Sequence, residues 1–298
     1  MDCCFPDVSS ETMEIWWVHL KQFNKNYIKR RAKLKMPFFA ASQKMATLIC
    51  NIGHSMKLSR EILLSSVLLF DRFMSFSFNK MNEEKSNIKK EQWMETLQNS
   101  MVLTICSCLQ LSSKALGQHQ VQVTDILKFM LEHNHKVTKT EVLKSEQSVF
   151  KTLMYKVPAF SPLIYVETLV HLLPVKKLNL ACSVFMETCV QFMMIAYCHH
   201  QVLYDSLYYI FTSKETCLYK DRVEFLRVEL DQLYLAGAVV VAAVRVLAPE
   251  AREASDWLLS RVRHLTGIPT REVMRLATIL SDIAADVPEN PKATTRPA

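Results

Sequence analysis

Apolar residues recur every three to four positions along nearly the whole chain, and no segment alternates with a period of two for long, so the pattern predicts an all-α protein. A leading helix over Glu11–Lys35 stops before Met36-Pro37, because the residue preceding proline is pushed out of the helical region. A helix over Ala41–Ile52 follows, closed at Gly53. Ser59 caps a helix through Met74, with Glu61 in its first turn, where the positive end of the helix dipole favours a carboxylate. Asn79–Glu91 reads as a polar insertion, and a strongly apolar helix then runs from Trp93 to Lys114 and ends at Gly117. Thr124 caps 125–133. Thr138 caps 139–157, with Glu141 three residues on completing a capping box. Pro158 and Pro162 cannot both sit inside a helix, so a boundary falls at 158–162. Helical patterns resume over 163–173, 175–197, 221–231, 232–247, 250–266 and 270–285, with a less regular stretch from Cys198 to Lys220. The predicted order is a basic leader at 1–36, a five-helix unit at 37–157, a linker, a second five-helix unit at 163–287, and a polar tail at 288–298 expected to be disordered.

Composition removes several function classes. Gly53, Gly117, Gly237 and Gly267 are the only glycines and stand far apart, so no glycine-rich phosphate loop can be written. Nine cysteines, an odd number, without a signal-peptide pattern at Met1-Asp2-Cys3-Cys4, point to reduced thiols in the cytosol or nucleus. The longest apolar run, Leu233–Val244, stops at Arg245 and is too short for a bilayer core of roughly 30 Å, so it predicts a buried helix and no membrane partner. Cys182, Cys189, Cys198, His199 and His200 invite a zinc reading, but no C-x-x-C is present and cysteines so spaced on a helical pattern are core residues. No cofactor, metal or enzymatic activity is expected. Trp16-Trp17 reads as core or interface rather than a stacking platform.

The net charge of +7 is unevenly spread. Between Ile15 and Arg60 there are ten Lys or Arg and no Asp or Glu, which leaves −3 for the rest of the chain. The densest part, Lys29, Arg30, Arg31, Lys33 and Lys35, fits a nuclear-import signal, a nucleic-acid contact, a patch for an acidic protein, or simply a solvated helix face.

Three charged residues stand where apolar ones are expected. Asp71, in Val67-Leu-Leu-Phe-Asp-Arg-Phe-Met74, projects from the same helix side as Val67, Leu68 and Met74. Glu146 lies four residues from both Val142 and Phe150, inside the stripe of helix 139–157. Lys114 ends a helix that is apolar on nearly all faces, beside the negative end of its dipole. Each is open to two readings, a satisfied internal pair or a side chain reaching the rim.

Gly53–Phe73, with Phe70-Asp71-Arg72-Phe73-Met74, resembles without a gap the first two helices of the cyclin box. Cys108–Lys114 is similar to the ending of the family's third helix, and Val142–Val157 to its fifth. Leu235–Val244 resembles, more weakly, the small-residue central helix of the C-terminal cyclin fold. The resemblance therefore implies two tandem five-helix cyclin-like boxes behind a basic leader helix. It implies that Asp71, with Arg72 beside it, is structural. The Arg of the first box helix that pairs with this Asp in cyclins falls on Ser42, and Lys44 is the candidate partner. Lys114 and Glu146 match the pair that holds a cyclin-dependent kinase's regulatory helix by its main chain, and Leu111, Tyr155 and Val157 match apolar contacts beside them. After that Lys the family usually has an aromatic and two acids, where this chain has Ala115, Leu116 and Gly117. The divergent first helix, Ala41–Leu48, departs from the family's substrate-docking motif. The order of motifs, the insertion and the basic leader resemble a meiotic branch of the family, which implies a nuclear, chromosome-associated role in crossover formation, with recombination proteins as further partners. A kinase-independent scaffold of meiotic recombination and a nucleic-acid-binding use of the same fold are the alternatives.

Overall fold

Serine and threonine hydroxyls open several helices in the way their positions imply. The side chains of Ser9, Ser42, Ser59 and Thr138 accept from the backbone N–H groups of Thr12, Met45, Ile62 and Glu141, giving otherwise unpaired first-turn donors a partner. At Thr138 the Glu141 carboxylate reaches back to the cap N–H at 2.7 Å, completing the capping box. The structure is a computed structural model and describes residues 8–35, 37–84, 87–117, 119–158, 160–173, 180–214, 219–250 and 252–286. The described residues form fourteen α-helices and no strand: α1 (Ser10–Arg31), α2 (Gln43–Ser55), α3 (Arg60–Glu83), α4 (Asn87–Asn99), α5 (Met101–Ala115), α6 (Val123–Glu132), α7 (Lys139–Thr152), α8 (Leu163–Leu172), α9 (Cys182–Cys198), α10 (His200–Thr212), α11 (Tyr219–Glu229), α12 (Gln232–Leu247), α13 (Arg252–Thr266) and α14 (Thr270–Asp286). The tail at 288–298, expected to be disordered, falls outside the described residues.

Two buried helices organise the packing. In the first half α3 lies against α2, α5 and α7, and its Leu63, Phe70 and Leu69 are shielded from solvent. In the second half α12 is enclosed by α8, α9, α13 and α14, with every residue from Leu233 to Val244 buried. No single helix among the described residues is long and apolar enough to cross a membrane. Gly237 permits the close approach of α13: a Cβ there would stand 3.1 Å from Val262 Cγ1.

Helix α1 joins the halves. Trp17 is buried, and its Nε1–H donates to the Leu265 carbonyl at 2.9 Å. Asn24 Nδ2 donates to Asp231 at 2.8 Å, while Gln232 N donates back to Asn24 Oδ1 at 3.1 Å. This double bond ties the leader to the start of α12.

Some elements differ from the sequence expectation. Helix α3 continues past Met74 to Glu83, and most of the region read as a polar insertion is helical, as the end of α3 and α4. Helix α4 has a small apolar contact, Trp93 against Phe78 with ring centroids 5.8 Å apart and a buried Leu97, too sparse for a clear periodicity. The long apolar helix expected from Trp93 begins instead at Met101, after a turn at Ser100. Helix α7 stops at Thr152, because Met154 and Tyr155 take the left-handed conformation at φ 53° and 59°.

The partner of Asp71 is a correction. Lys44 is exposed and plays no part. Arg31, from the last turn of α1, donates from Nη2 to Asp71 Oδ1 at 2.8 Å, and the Ala40 N–H donates to the same oxygen at 2.6 Å. Arg31 also donates to the carbonyls of Pro37 (2.7 Å) and Phe38 (2.6 Å). The two side chains are 3% and 0% exposed. Burial pushes the Asp71 carboxyl above its usual range, and the Arg31 guanidinium and Ala40 amide pull against that shift. Arg31 thus leaves the basic surface patch, where Lys29, Arg30, Lys33 and Lys35 are exposed. Arg72 lies partly open, donating from Nη2 to the Lys156 carbonyl at 2.9 Å.

Candidate functional site

Helices α5 and α7 lie side by side, tied by a hydrogen bond between the Ser107 and Ser145 hydroxyls at 2.8 Å. Buried Val142 and Val149 anchor α7. Glu146, one turn from Val142, consequently sits at the edge of the contact rather than in the core. Lys114 reaches across from the last turn of α5 and donates from Nζ to Glu146 Oε1 at 2.5 Å. Their side chains are 44% and 15% exposed, so the pair faces solvent from a half-sheltered position.

The pair lies in an open groove of about 700 Å³ that also takes in Leu111, Leu143, Phe150 and Val157. Leu111 forms the buried end and Leu143 the exposed rim. Gly117, at φ +65°, ends α5 directly after Leu116 and leaves open space where a side chain would stand. Next to the groove, Tyr155 is 62% exposed and meets Phe150 edge-on at 5.1 Å. The left-handed turn holding it out is fixed by Met154 N to Lys151 O and Tyr155 N to Phe150 O, both 2.9 Å. For two non-glycine residues that conformation costs roughly 1–2 kcal/mol each, and such strain gathers where a side chain must be presented.

The structure thus brings Leu111, Lys114, Glu146 and Val157 to one groove, with Tyr155 beside it. It adds Leu143, whose signal in the sequence was an aliphatic residue off the buried stripe of its helix. The groove can offer one carboxylate oxygen as an acceptor and the remaining ammonium N–H groups as donors, framed by apolar surface. That is the equipment for gripping a backbone segment, since charge-assisted bonds to main-chain groups are strong where water is partly excluded. Elsewhere, no group of three or more His, Cys, Asp or Glu among the described residues is placed to hold a metal. Cys198 instead packs with its sulfur 3.9 Å from that of Cys50, and burial pushes the His200 imidazole down to about 3, with Arg222 and Arg31 adding to the shift.

Residues 18–158, the part of the chain that builds α3, α5, α7 and the groove, match the family described as cyclin, N-terminal domain. Over nearly its full length the chain is similar to cyclin N-terminal domain-containing protein 1 of Mus musculus, 24% identical over 300 residues that cover 96% of this chain and 88% of the relative. The similarity to the protein of the same name from Homo sapiens is 24% over 301 residues, covering 97% and 89%. Among solved structures, the chain shares its fold with a viral cyclin from herpesvirus saimiri, with a TM-score of 0.54, 11% identity, and coverage of 88% of this chain and 96% of that one.

Proposed function

We propose that this chain is a non-catalytic regulatory subunit that binds a cyclin-dependent kinase through the α5–α7 groove and biases the kinase's regulatory helix toward its active position. The supporting observation is the Lys114–Glu146 pair, 2.5 Å apart and open to solvent beside Leu111, Leu143 and Tyr155. A pair this exposed contributes little to folding, about 0–1 kcal/mol. In a complex its two members are free to separate, Glu146 accepting from backbone N–H groups and Lys114 donating to carbonyls of the docked helix. The pair is already aligned, which lowers the ordering cost of docking. We further propose, on the resemblance of the motif order to a meiotic branch of the family, that this activity lies in the nucleus of meiotic cells, in crossover maturation, alongside recombination proteins.

The second reading is a scaffold that uses the cyclin fold without activating a kinase. Ala115, Leu116 and Gly117 favour it, because they supply little side-chain surface where a large contact would add affinity. A pull-down of cyclin-dependent kinases from meiotic cells with Lys114→Ala and Glu146→Ala decides between them. The expected result is loss of kinase with melting temperatures unchanged; capture equal to the unaltered chain rules out this groove as the kinase site.

A further inference from the structure

A second concavity lies on the other side of Val157, between α1, α3 and the connector at 156–162. It measures about 360 Å³ and is less open than the groove. Its apolar walls come from Phe23 of α1, Leu34 just beyond the end of α1, Leu68 and Phe76 of α3, and Phe160 of the connector. Phe160 meets Phe23 edge-on at 5.0 Å and Trp16 at 6.4 Å, extending the wall along α1 toward its start. Phe23 is 44% exposed, an unusual state for a phenylalanine on a helix that buries its opposite face.

The charges around this cleft all have one sign. Arg30, Arg31, Arg72 and Lys156 line it, and no Asp or Glu does so among the described residues. Arg31 is a fixed part of the wall. Its Nε and Nη2 are engaged by Pro37, Phe38 and Asp71, but Nη1 is buried without a hydrogen-bond partner. Arg72 is bound on one side to the Lys156 carbonyl, so the connector and α3 hold their cations in a fixed relation.

We propose that this cleft is a docking site for a short acidic peptide of a partner protein, which sets an aromatic or aliphatic side chain between Phe23, Phe76 and Phe160 and a neighbouring carboxylate at Arg30 and Lys156, both exposed. The apolar floor calls for a side chain, which a small inorganic anion lacks. The enclosed volume suits a linear segment and excludes a folded domain. A nucleic-acid backbone would meet the charge but leave the phenylalanines unfilled. Because Val157 belongs to both concavities, a peptide held here lies next to a kinase held in the α5–α7 groove, and the site would recruit partners to it.

The test uses the full chain without kinase and a short fluorescein-labelled peptide alternating Glu and Phe, followed by fluorescence anisotropy. Saturable binding is expected, weakened at least about tenfold by Arg30→Glu, Lys156→Glu or Phe23→Ala. Lys33→Glu, an equal charge change away from the cleft, should leave it within a factor of about two, and Lys114→Ala should leave it unchanged. Peptides with Gln for Glu, or Ala for Phe, should fail to bind. Melting curves of the variants confirm that these exposed substitutions leave the fold intact. Equal weakening by Lys33→Glu, undiminished binding of the Gln peptide, or preferential binding of a DNA duplex to the same residues overturns the assignment. Loss of the kinase interaction in Lys114→Ala with peptide binding retained separates this site from the groove.

Discussion

Cutting the Arg31–Asp71 pair tests the central packing claim. Replacing Arg31 with Met keeps most of the aliphatic volume but removes three hydrogen bonds, one to the Asp71 carboxylate and two to the carbonyls of Pro37 and Phe38. Asp71 is then left fully buried with a single remaining donor, the Ala40 N–H. Removing one member of a buried pair costs about 3–5 kcal/mol, chiefly because the other charge stays uncompensated. For a chain of this length that corresponds to a fall of roughly 6–10 °C in melting temperature. The second arm is Arg31→Met with Asp71→Leu, which removes both charges and should lose at least about 1 kcal/mol less than the two single changes added together. The third arm is Lys44→Met, at the candidate raised because the family's Arg position falls on Ser42, which should stay within about 0.5 kcal/mol. Urea midpoints and thermal scans of the parent, Arg31→Met, Asp71→Leu, the double variant and Lys44→Met supply the numbers. An Arg31→Met protein within about 1 kcal/mol of the parent, or additive losses in the double variant, would refute the pairing.

Glu167 should make stability pH-dependent. Burial, with the Glu61 charge as a second cause, pushes its carboxyl up to about 7, so the folded chain binds this proton more tightly than the unfolded one, whose value is about 4.3. Stability from this group is therefore full below about pH 4 and falls as pH rises toward 7, by up to about 3 kcal/mol and less for its partial exposure; Glu167→Gln should raise the melting temperature at pH 8 and not at pH 4, and no pH-dependent difference would refute it. Gly53→Ala should destabilise by about 1–3 kcal/mol in urea, because the new methyl would collide with Leu63, itself without room to move, and this outweighs the helix-propensity gain of up to about 1 kcal/mol. Changing Lys29, Arg30, Lys33 and Lys35 to Gln should leave the melt nearly unaltered and reduce nuclear accumulation seen by microscopy, whereas adding Arg31→Gln should lower the melt sharply; a fold that ignores the fifth change contradicts its interior placement.

Local signals carried much of the fold into the sequence. The capping serine at 59, the Thr138/Glu141 box and the glycine at 117 depend on neighbours within one helical turn, and the helices they mark begin or end where expected. Asp71 was legible as a carboxylate needing a partner, but the partner was not. Arg31 is forty residues away and sits in a row of five basic residues, where nothing local separates the one that turns inward. The groove residues could be read because Lys114 and Glu146 interrupt apolar stripes. The cleft could not, since Phe23, Phe76 and Phe160 come from three distant segments and each looks like ordinary core. Helix α4 was hidden for the opposite reason: Trp93 and Leu97 give it too small an apolar face to register against its polar residues.

The leader helix has a consequence during synthesis on the ribosome. The acceptor for the Trp17 indole is residue 265, and Asn24 waits for Asp231 and Gln232, so its partners are translated 248, 207 and 208 positions later. At 5–20 residues per second the gap before Leu265 appears is roughly 12–50 s. Until α8 has emerged, Met13, Trp17 and Leu20, all buried in the finished protein, have nothing to cover them from the second half. The bond from Trp17 to Leu265 is thus among the last to secure α1, and a nascent chain that stalls before α8 presents an apolar strip of the kind that holding chaperones and quality-control proteases bind.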